Sequence, residues 1–365
     1  MQQSERAIFD LRRGVAVVVL AEDGDRLVVP VETAAAQSFD ILAGSADAPA
    51  SLVLARERLA ALGYADPPAA ACLPAPGERD QLERLAWGSV SPGACAALSP
   101  APAGHAERAA LALLKRALMI PAALSAPIDA DARDRLLEDR IALDVSADEI
   151  DRAASDSAAR VQQVSAADVP LESALTTRFI LFREPDGLRE HVAVRIGDPA
   201  EWPAAVPVRL HSACLTGDLF GSLRCDCGEQ LRASVERIAE AGGGVLLYLA
   251  QEGRGIGLAN KLRAYELQDR GADTVEADAR LGFADDERHF GVAVQMLLEL
   301  GLRRIRLLTN NPAKIAAIEA GGIEIADRQE LYGALNEHNE RYLRAKADRS
   351  GHLLDEWLET ESTPD

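Results

Sequence analysis

The sequence lacks any uninterrupted apolar run of about 18 residues, the length at which a segment reads as a membrane-crossing helix. Its opening, "MQQSERAIFDLRRG", is charged and has no apolar stretch of the kind a secretory leader carries. A membrane span and a signal peptide are therefore not expected. The cytoplasm is the expected compartment, where thiols stay reduced. Basic charge is also short: 39 Lys and Arg against 58 Asp and Glu leave a net charge of −19. Such a chain lacks the stripe of cations that nucleic acid requires, so nucleic-acid binding is not expected as its main task. One small anionic ligand remains possible, because a few placed Arg and Lys suffice for it.

Cysteine is sparse, five in 365 residues, and no Cys-x-x-Cys pair occurs. Without that pair a redox dithiol is disfavoured. The zinc-deaminase signature H-x-E…P-C-x-x-C is missing as well, as are G-x-x-x-x-G-K-[ST] and a full G-x-G-x-x-G. No internal repeat is visible.

What remains is informative. The length indicates two domains, and a hydrophobic content of 48% supports real cores. The first half is rich in Ala, Pro and Asp. "SERAIFDLRRG" reads as a helix, and "VAVVVLAEDGDRLVVPVE" as two strands joined at "EDGD". A Pro- and Gly-punctuated region spans Pro67 to Gly104. "HAERAALALLKRALMIPAAL" has apolar residues at helical spacing. The polar "DVSADEIDRAASDSAARVQQV" is expected to connect the domains, with a boundary near residue 170. In the second half, "GVLLYLA" is a buried-type strand, and "GLANKLRAYELQDRG" a helix ending at Gly271. "DDERHFGVAVQMLLELG" reads as a helix, "RRIRLLTN" as a strand, and "NPAKIAAIEAGG" as a helix capped by Asn311, begun by Pro312 and ended at Gly321. Strand–helix alternation of this kind predicts an α/β sheet. The tail "ESTPD" is expected to be disordered.

Three of the five cysteines fall within fourteen residues, "CLTGDLFGSLRCDC", at Cys214, Cys225 and Cys227. Three thiolates make a soft site suited to Zn²⁺. Three protein ligands leave one position for water, whose pKa zinc lowers to about 7. The competing readings are simple burial and a structural site closed by His211. Cys72 and Cys95 stand apart from this group. Three further stretches suit phosphate. "EGRGIG" joins a strand to a helix, with Arg254 as a charged donor. "TNNPAK" carries Thr309 and, in a first helical turn that favours anions, Lys314. "GFADDERHF" sets Asp286 and Arg288 near a helix start. All four sites are expected to converge where the strands end.

In this order, "RLHSACLTGDLFGSLRCDCGEQL", "QEGRGIGLANKLRAYELQDRGADTVEA", "LGFADDERHF", "RLLTNNPAK" and "GHLL" resemble GTP cyclohydrolase II, over roughly Val206 to Leu354. The resemblance implies a C-terminal α/β domain with a mixed sheet, residues 171–360, beside an N-terminal α/β domain, residues 1–170. It implies a zinc ion on Cys214, Cys225 and Cys227, and Mg²⁺ with the triphosphate. It implies GTP contacts at Arg209, Leu210, His211, Ser212, Ala213, Gln230, Glu252, Gly253, Arg254, Thr274, Thr309 and Lys314. Asp286 corresponds to the proton acceptor, Arg288 to a residue proposed to attack the α-phosphorus, and Tyr265 to a tyrosine near the metal-bound water. Arg288 has a second reading, electrostatic stabilisation of the α-phosphate, because a guanidinium stays protonated. Gln230 and an acidic residue are the candidates for reading guanine. The implied reaction releases formate and pyrophosphate from GTP and opens riboflavin synthesis. Homodimers are common in the family.

Two departures stand out. Asp278 occupies a position where the family usually has Asn, adding negative charge. The start of the chain resembles dihydroxybutanone-phosphate synthase, but its Glu-Asn-Glu-Gly run is missing; Asp23, Asp25 and Glu32 are too few for a Mg²⁺ site. The N-terminal domain is therefore expected to be degenerate and non-catalytic. Competing functions are a GTP-binding regulatory pseudoenzyme, a bifunctional enzyme, and a sibling cyclohydrolase with another product.

Overall fold

The computed structural model describes residues 3–90, 98–156, 161–336 and, further on, residues 338, 339, 344, 347, 351, 353, 354 and 357. Cys95 and the tail "ESTPD" lie outside the described residues. The chain forms two compact units, Met1–Ser155 with Ala259–Glu287, and Asp156–Leu258 with Arg288–Asp365.

The first unit is built on a seven-stranded sheet: β1 (Val17–Leu20), β2 (Arg26–Pro30), β3 (Ser51–Ala55), β4 (Ala70–Pro74), β5 (Ala101–Pro102), β6 (Ala122–Pro127) and β7 (Leu143–Ser146), in the order β5-β4-β3-β6-β2-β1-β7. Only β1 and β7 run parallel. The expected hairpin forms, with Val17 opposite Val28 and Val19 opposite Arg26. Both strands are almost wholly buried, because the apolar stripe of the helix His105–Arg116 packs against them. That helix is shorter than its periodicity indicates. It ends at Arg116, Leu118 takes a left-handed φ of 58°, and "AALSAP" becomes central strand β6. A short apolar run between β2 and β3 cannot be told from a helix by pattern alone, and Pro121 interrupts the helical ladder. The stretch expected to be a polar connection is also structured. It forms β7, the helix Ala147–Asp156 and the start of β8, and it buries Val145 and Ile150 completely.

The second unit holds β8 (Gln162–Asp168), β9 (Thr177–Arg183), β10 (Glu190–Ile196), β11 (Val206–Ser212), β12 (Gly244–Leu249), β13 (Arg304–Leu308) and β14 (Glu324–Gln329), in the order β14-β13-β11-β12-β10-β9-β8. The first four strands of that order are mutually parallel and the rest antiparallel, so the sheet is mixed. Both faces are covered. Val245, Leu247 and Leu249 join one core with Met296, Leu297 and Ile318, while Leu246 joins another with Val235 and Ile238. Burial on both faces is why β12 is apolar without alternation.

The helix Pro312–Ala320 is capped as expected, Ala313 N donating to Asn311 Oδ1 at 2.8 Å. Its chain reversal uses Gly322, φ 76°. The helix expected from Asp285 starts only at Gly291. Upstream, Ala284 N donates to the Glu287 carboxylate at 2.8 Å, a local turn that competes with helix formation.

Candidate active site

Parallel strands β11, β12 and β13 end on one side of the sheet, and their following loops carry most of the chemistry. β11 delivers Arg209, Leu210, His211 and Ser212, then Ala213 and Cys214; the loop after β12 carries Gln251 to Arg254; the loop after β13 carries Thr309 to Lys314. They border a solvent-open cleft, which Arg209, Arg254, Arg288, Lys314 and Asp226 also line. Openings at strand C-terminal ends are the usual ligand crevices of such sheets.

The cysteines meet as expected. The sulfurs of Cys214, Cys225 and Cys227 all lie within 4.8 Å of one another, and Cys214 and Cys225 are 3.6 Å apart. Among the described residues no His, Asp or Glu joins this group. The Cys214 hydrogen bond and burial push the Cys225 thiol up to about 11. Crowded thiols keep their protons, and a divalent cation reverses that preference. Three clustered soft donors fit zinc. His211 does not join the group, and its Nε2 donates to Asp218 Oδ1 at 3.0 Å.

Asp218 is a hub the sequence reading missed. It also accepts from Cys214 N at 2.9 Å and from the Tyr248 hydroxyl at 2.9 Å. Tyr248 sits opposite His211 in the β11–β12 register and stacks on it, 5.6 Å between centroids. The signals were a carboxylate four residues after a cysteine and one polar residue inside an apolar strand. Burial lowers the His211 pKa, and its Nδ1 has no hydrogen-bond partner among the described residues. Burial likewise raises that of Tyr248, with Asp218 adding to the effect.

The cations are anchored from the protein side. Arg209 donates to Leu308 O at 2.9 Å and to Gln230 Oε1 at 2.6 Å, leaving its buried Nε without a partner. Burial pulls its guanidinium down to about 10, still cationic at neutral pH. Gln230 spends its other amide end on Asp226, so this candidate for reading guanine is engaged at both ends. Lys314 lies in the first turn of the helix Pro312–Ala320. Its ammonium donates to Leu210 O at 2.7 Å and lies 5.6 Å from the Phe290 ring centre. Arg288 lies over the same ring at 5.2 Å and reaches Ser212 Oγ at 3.4 Å. Thr309 Oγ1 accepts from Asn311 N at 3.1 Å.

The "EGRG" loop is a run of left-handed residues: Gly253, Arg254, Gly255 and Gly257 have φ of 62°, 56°, 95° and 87°. For Arg254 that conformation is strained, of the sort that clusters at functional sites. Glu252 fixes the loop, accepting from Leu215 N at 2.6 Å and Gly253 N at 3.1 Å.

The four expected sites do not all fall in one unit. Tyr265, Thr274 and Asp286 lie in the first unit, and "GFADDERHF" is divided between Glu287 and Arg288. Tyr265 is on the helix Leu258–Asp269, with Lys261 Nζ 5.8 Å from its ring centre. Thr274 opens the helix Thr274–Arg280, its hydroxyl accepting from Gln268 at 3.4 Å, and Asp278 is buried in that helix.

A family model for GTP cyclohydrolase II matches residues 162–330. A GTP cyclohydrolase-2 of Xylella fastidiosa strain Temecula1 is 42% identical over 354 residues, covering 96% of this chain and 87% of that protein. A GTP cyclohydrolase-2 of Azospirillum brasilense is 42% identical over 370 residues, 97% of this chain and 94% of that one. Another, from Pseudomonas aeruginosa strain LESB58, is 56% identical over 173 residues, 47% of this chain and 84% of that protein. With two such relatives matched along nearly their whole length, this chain belongs to the GTP cyclohydrolase II family of enzymes.

Proposed function

We propose that the chain is a zinc-dependent GTP cyclohydrolase II. It opens the imidazole ring of GTP at C8 and releases formate and pyrophosphate. The product is 2,5-diamino-6-(5-phospho-ribosylamino)pyrimidin-4(3H)-one, the first intermediate of riboflavin biosynthesis. The observation that carries this reading is the three-sulfur cluster of Cys214, Cys225 and Cys227 beside a cleft lined by Arg209, Arg254, Arg288 and Lys314.

Ring opening is two hydrolyses: water adds at C8, and the resulting formamide is then cleaved to formate. Held by the three thiolates, zinc supplies a Lewis acid and a water acidic enough to react near neutral pH. Asp218 fixes both the Cys214 backbone and the His211 ring, keeping this end of the cleft rigid. Release of pyrophosphate is separate chemistry at the other end of the ligand, and needs cations on the phosphates. Arg209, Arg254, Arg288 and Lys314 supply them, with the Ser212 and Thr309 hydroxyls as further donors. His211 lines the cleft at the end of β11, and Leu210 and Ala213 as GTP contacts follow from the resemblance alone. Gly253 lets the backbone approach the ligand, Glu252 holds that loop, and Gln230 orients Arg209. Arg288 acts electrostatically, its guanidinium lying over the Phe290 ring at 5.2 Å. Asp286 as proton acceptor, Tyr265 as proton shuttle and Thr274 as a GTP contact follow from the resemblance alone. Mg²⁺ travels with the triphosphate; among the described residues no carboxylate cluster competes for it.

The N-terminal unit is non-catalytic in this reading. Its remaining carboxylates have structural work: Asp23 caps His105 N at 2.7 Å, Asp25 pairs with Arg133 at 3.0 Å, and Glu32 pairs with Arg263 at 2.8 Å. A cytoplasmic homodimer completes the proposal; among the described residues no helix is long and apolar enough to cross a membrane. The deciding experiment is mass-spectrometric identification of products from GTP, with and without a chelator. Formate, pyrophosphate and the diaminopyrimidinone, abolished by chelation, are expected. Unchanged GTP would indicate a binding protein, and a retained formyl group a sibling activity. Incubation with ribulose 5-phosphate is expected to yield no dihydroxybutanone phosphate.

A further inference from the structure

Residues Ala259–Glu287 fall inside the stretch matched by the family model, yet they cluster with the N-terminal residues. Their attachment within that unit is polar and specific. Arg58 is 2% exposed, too buried for a residue of its type without partners. It donates to the carbonyls of Arg84, Leu85 and Gly88 at 2.6–2.7 Å and, across to the segment, to Arg280 O at 2.9 Å. Next to it Gly282 has a φ of 86°, and a Cβ there would lie 3.0 Å from Pro121. Fully buried Asn260 donates to Leu118 O at 3.0 Å, and Leu118 holds a left-handed φ of 58° to present that carbonyl. Such strain persists only where surrounding contacts over-determine it. Glu32 bridges Arg263 at 2.8 Å and Ile120 N at 2.9 Å, and Lys115 pairs with Glu287 at 2.6 Å.

We infer that the N-terminal unit serves the cyclohydrolase as a brace: it holds residues 259–287 in one conformation, with Arg58 as the main positioning residue. Tyr265, Thr274 and Asp286 ride on that segment, so the inference rests on the roles proposed for them above. It gives a domain with no expected catalysis a task in the reaction. Glu32, a remnant carboxylate of the degenerate site, has become one of the ties.

The test uses the full chain as wild type, Arg58→Met, Arg58→Lys and the double variant Glu32→Gln/Lys115→Met. Amide hydrogen exchange, zinc content and the kinetics of formate release from GTP are measured on each. The brace predicts exchange across 259–287 faster by about tenfold or more in Arg58→Met and in the double variant. It also predicts kcat lower by about 10- to 100-fold, as misplacement of reacting groups costs, with zinc content and exchange in β11–β13 unchanged. Arg58→Lys recovers part of both effects. Unchanged exchange in the segment overturns the brace; faster exchange with unchanged kcat and KM overturns its link to catalysis. The double variant removes partners less buried than Arg58 and carries the test if Arg58→Met does not fold. A wild type that releases no formate removes the proposed reaction, while the exchange data still decide the brace.

Discussion

Gly217 lies against the sulfur cluster. A Cβ there would sit 2.7 Å from Cys225 Sγ, 3.1 Å from Cys214 Sγ and 3.0 Å from Cys227 Cβ. The first is closer than real contacts allow and the other two are tight, so Gly217→Ala must shift the thiols. Zinc affinity is expected to fall by about 10- to 100-fold, as when a site's supporting groups are disturbed, and formate release with it. Far-UV circular dichroism should stay unchanged; metal titration of the variant checks this. His211 sets a pH dependence. Burial holds its folded-state pKa below the ordinary 6.5. As pH falls through 6.5 the unfolded chain takes up a proton that the folded chain refuses, so stability is lost toward acid. The melting temperature of the metal-free protein should therefore drop between about pH 7.5 and about pH 5.5, and drop less in His211→Gln. Scanning calorimetry at both pH values decides it. The cysteines were legible because their grouping is local in sequence. The Asp218–His211–Tyr248 cluster was not, because it exists only once β11 and β12 pair in parallel.

Loops that follow β11, β12 and β13 make the cleft, and each is set by a short-range device. After β13 it is the Asn311 cap, which also donates its backbone N–H to Thr309. Asn311→Ala should cost about 1 kcal/mol of stability, the usual value of such a cap, and raise the KM for GTP by disturbing Thr309 and Lys314. Chemical denaturation and steady-state kinetics measure the two effects. Caps and turns of this kind were readable from residue type, as were the hairpin after the first helix and the apolar β12. Helix lengths were less so. "AAL", Ala122–Leu124, opens strand β6 rather than closing a helix because β2 and β3 receive it on either side, a fact of tertiary pairing rather than local preference. Likewise the residues before Gly291 leave the helix because the Glu287 side chain competes for Ala284 N–H.

At the scale of the molecule, the α/β class follows from alternation of strands and helices along the chain, and the mixed C-terminal sheet from the family resemblance. The grouping of 259–287 with the N-terminal residues does not. It depends on contacts such as Arg58 to Arg280 and Glu32 to Arg263, more than two hundred residues apart in sequence, which no local pattern reports. Net acidity of −19 coexists with a cleft lined by four cations, because global charge governs solubility and a site's charge governs its ligand. The central claim concerns three sulfurs and one open position. X-ray absorption at the zinc edge, with metal content measured on the same purified protein, tests it most directly. One zinc per chain is predicted, with three sulfur neighbours at about 2.3 Å and one lighter oxygen neighbour. A chain that retains no zinc, or one whose zinc is closed by four protein ligands, would contradict it.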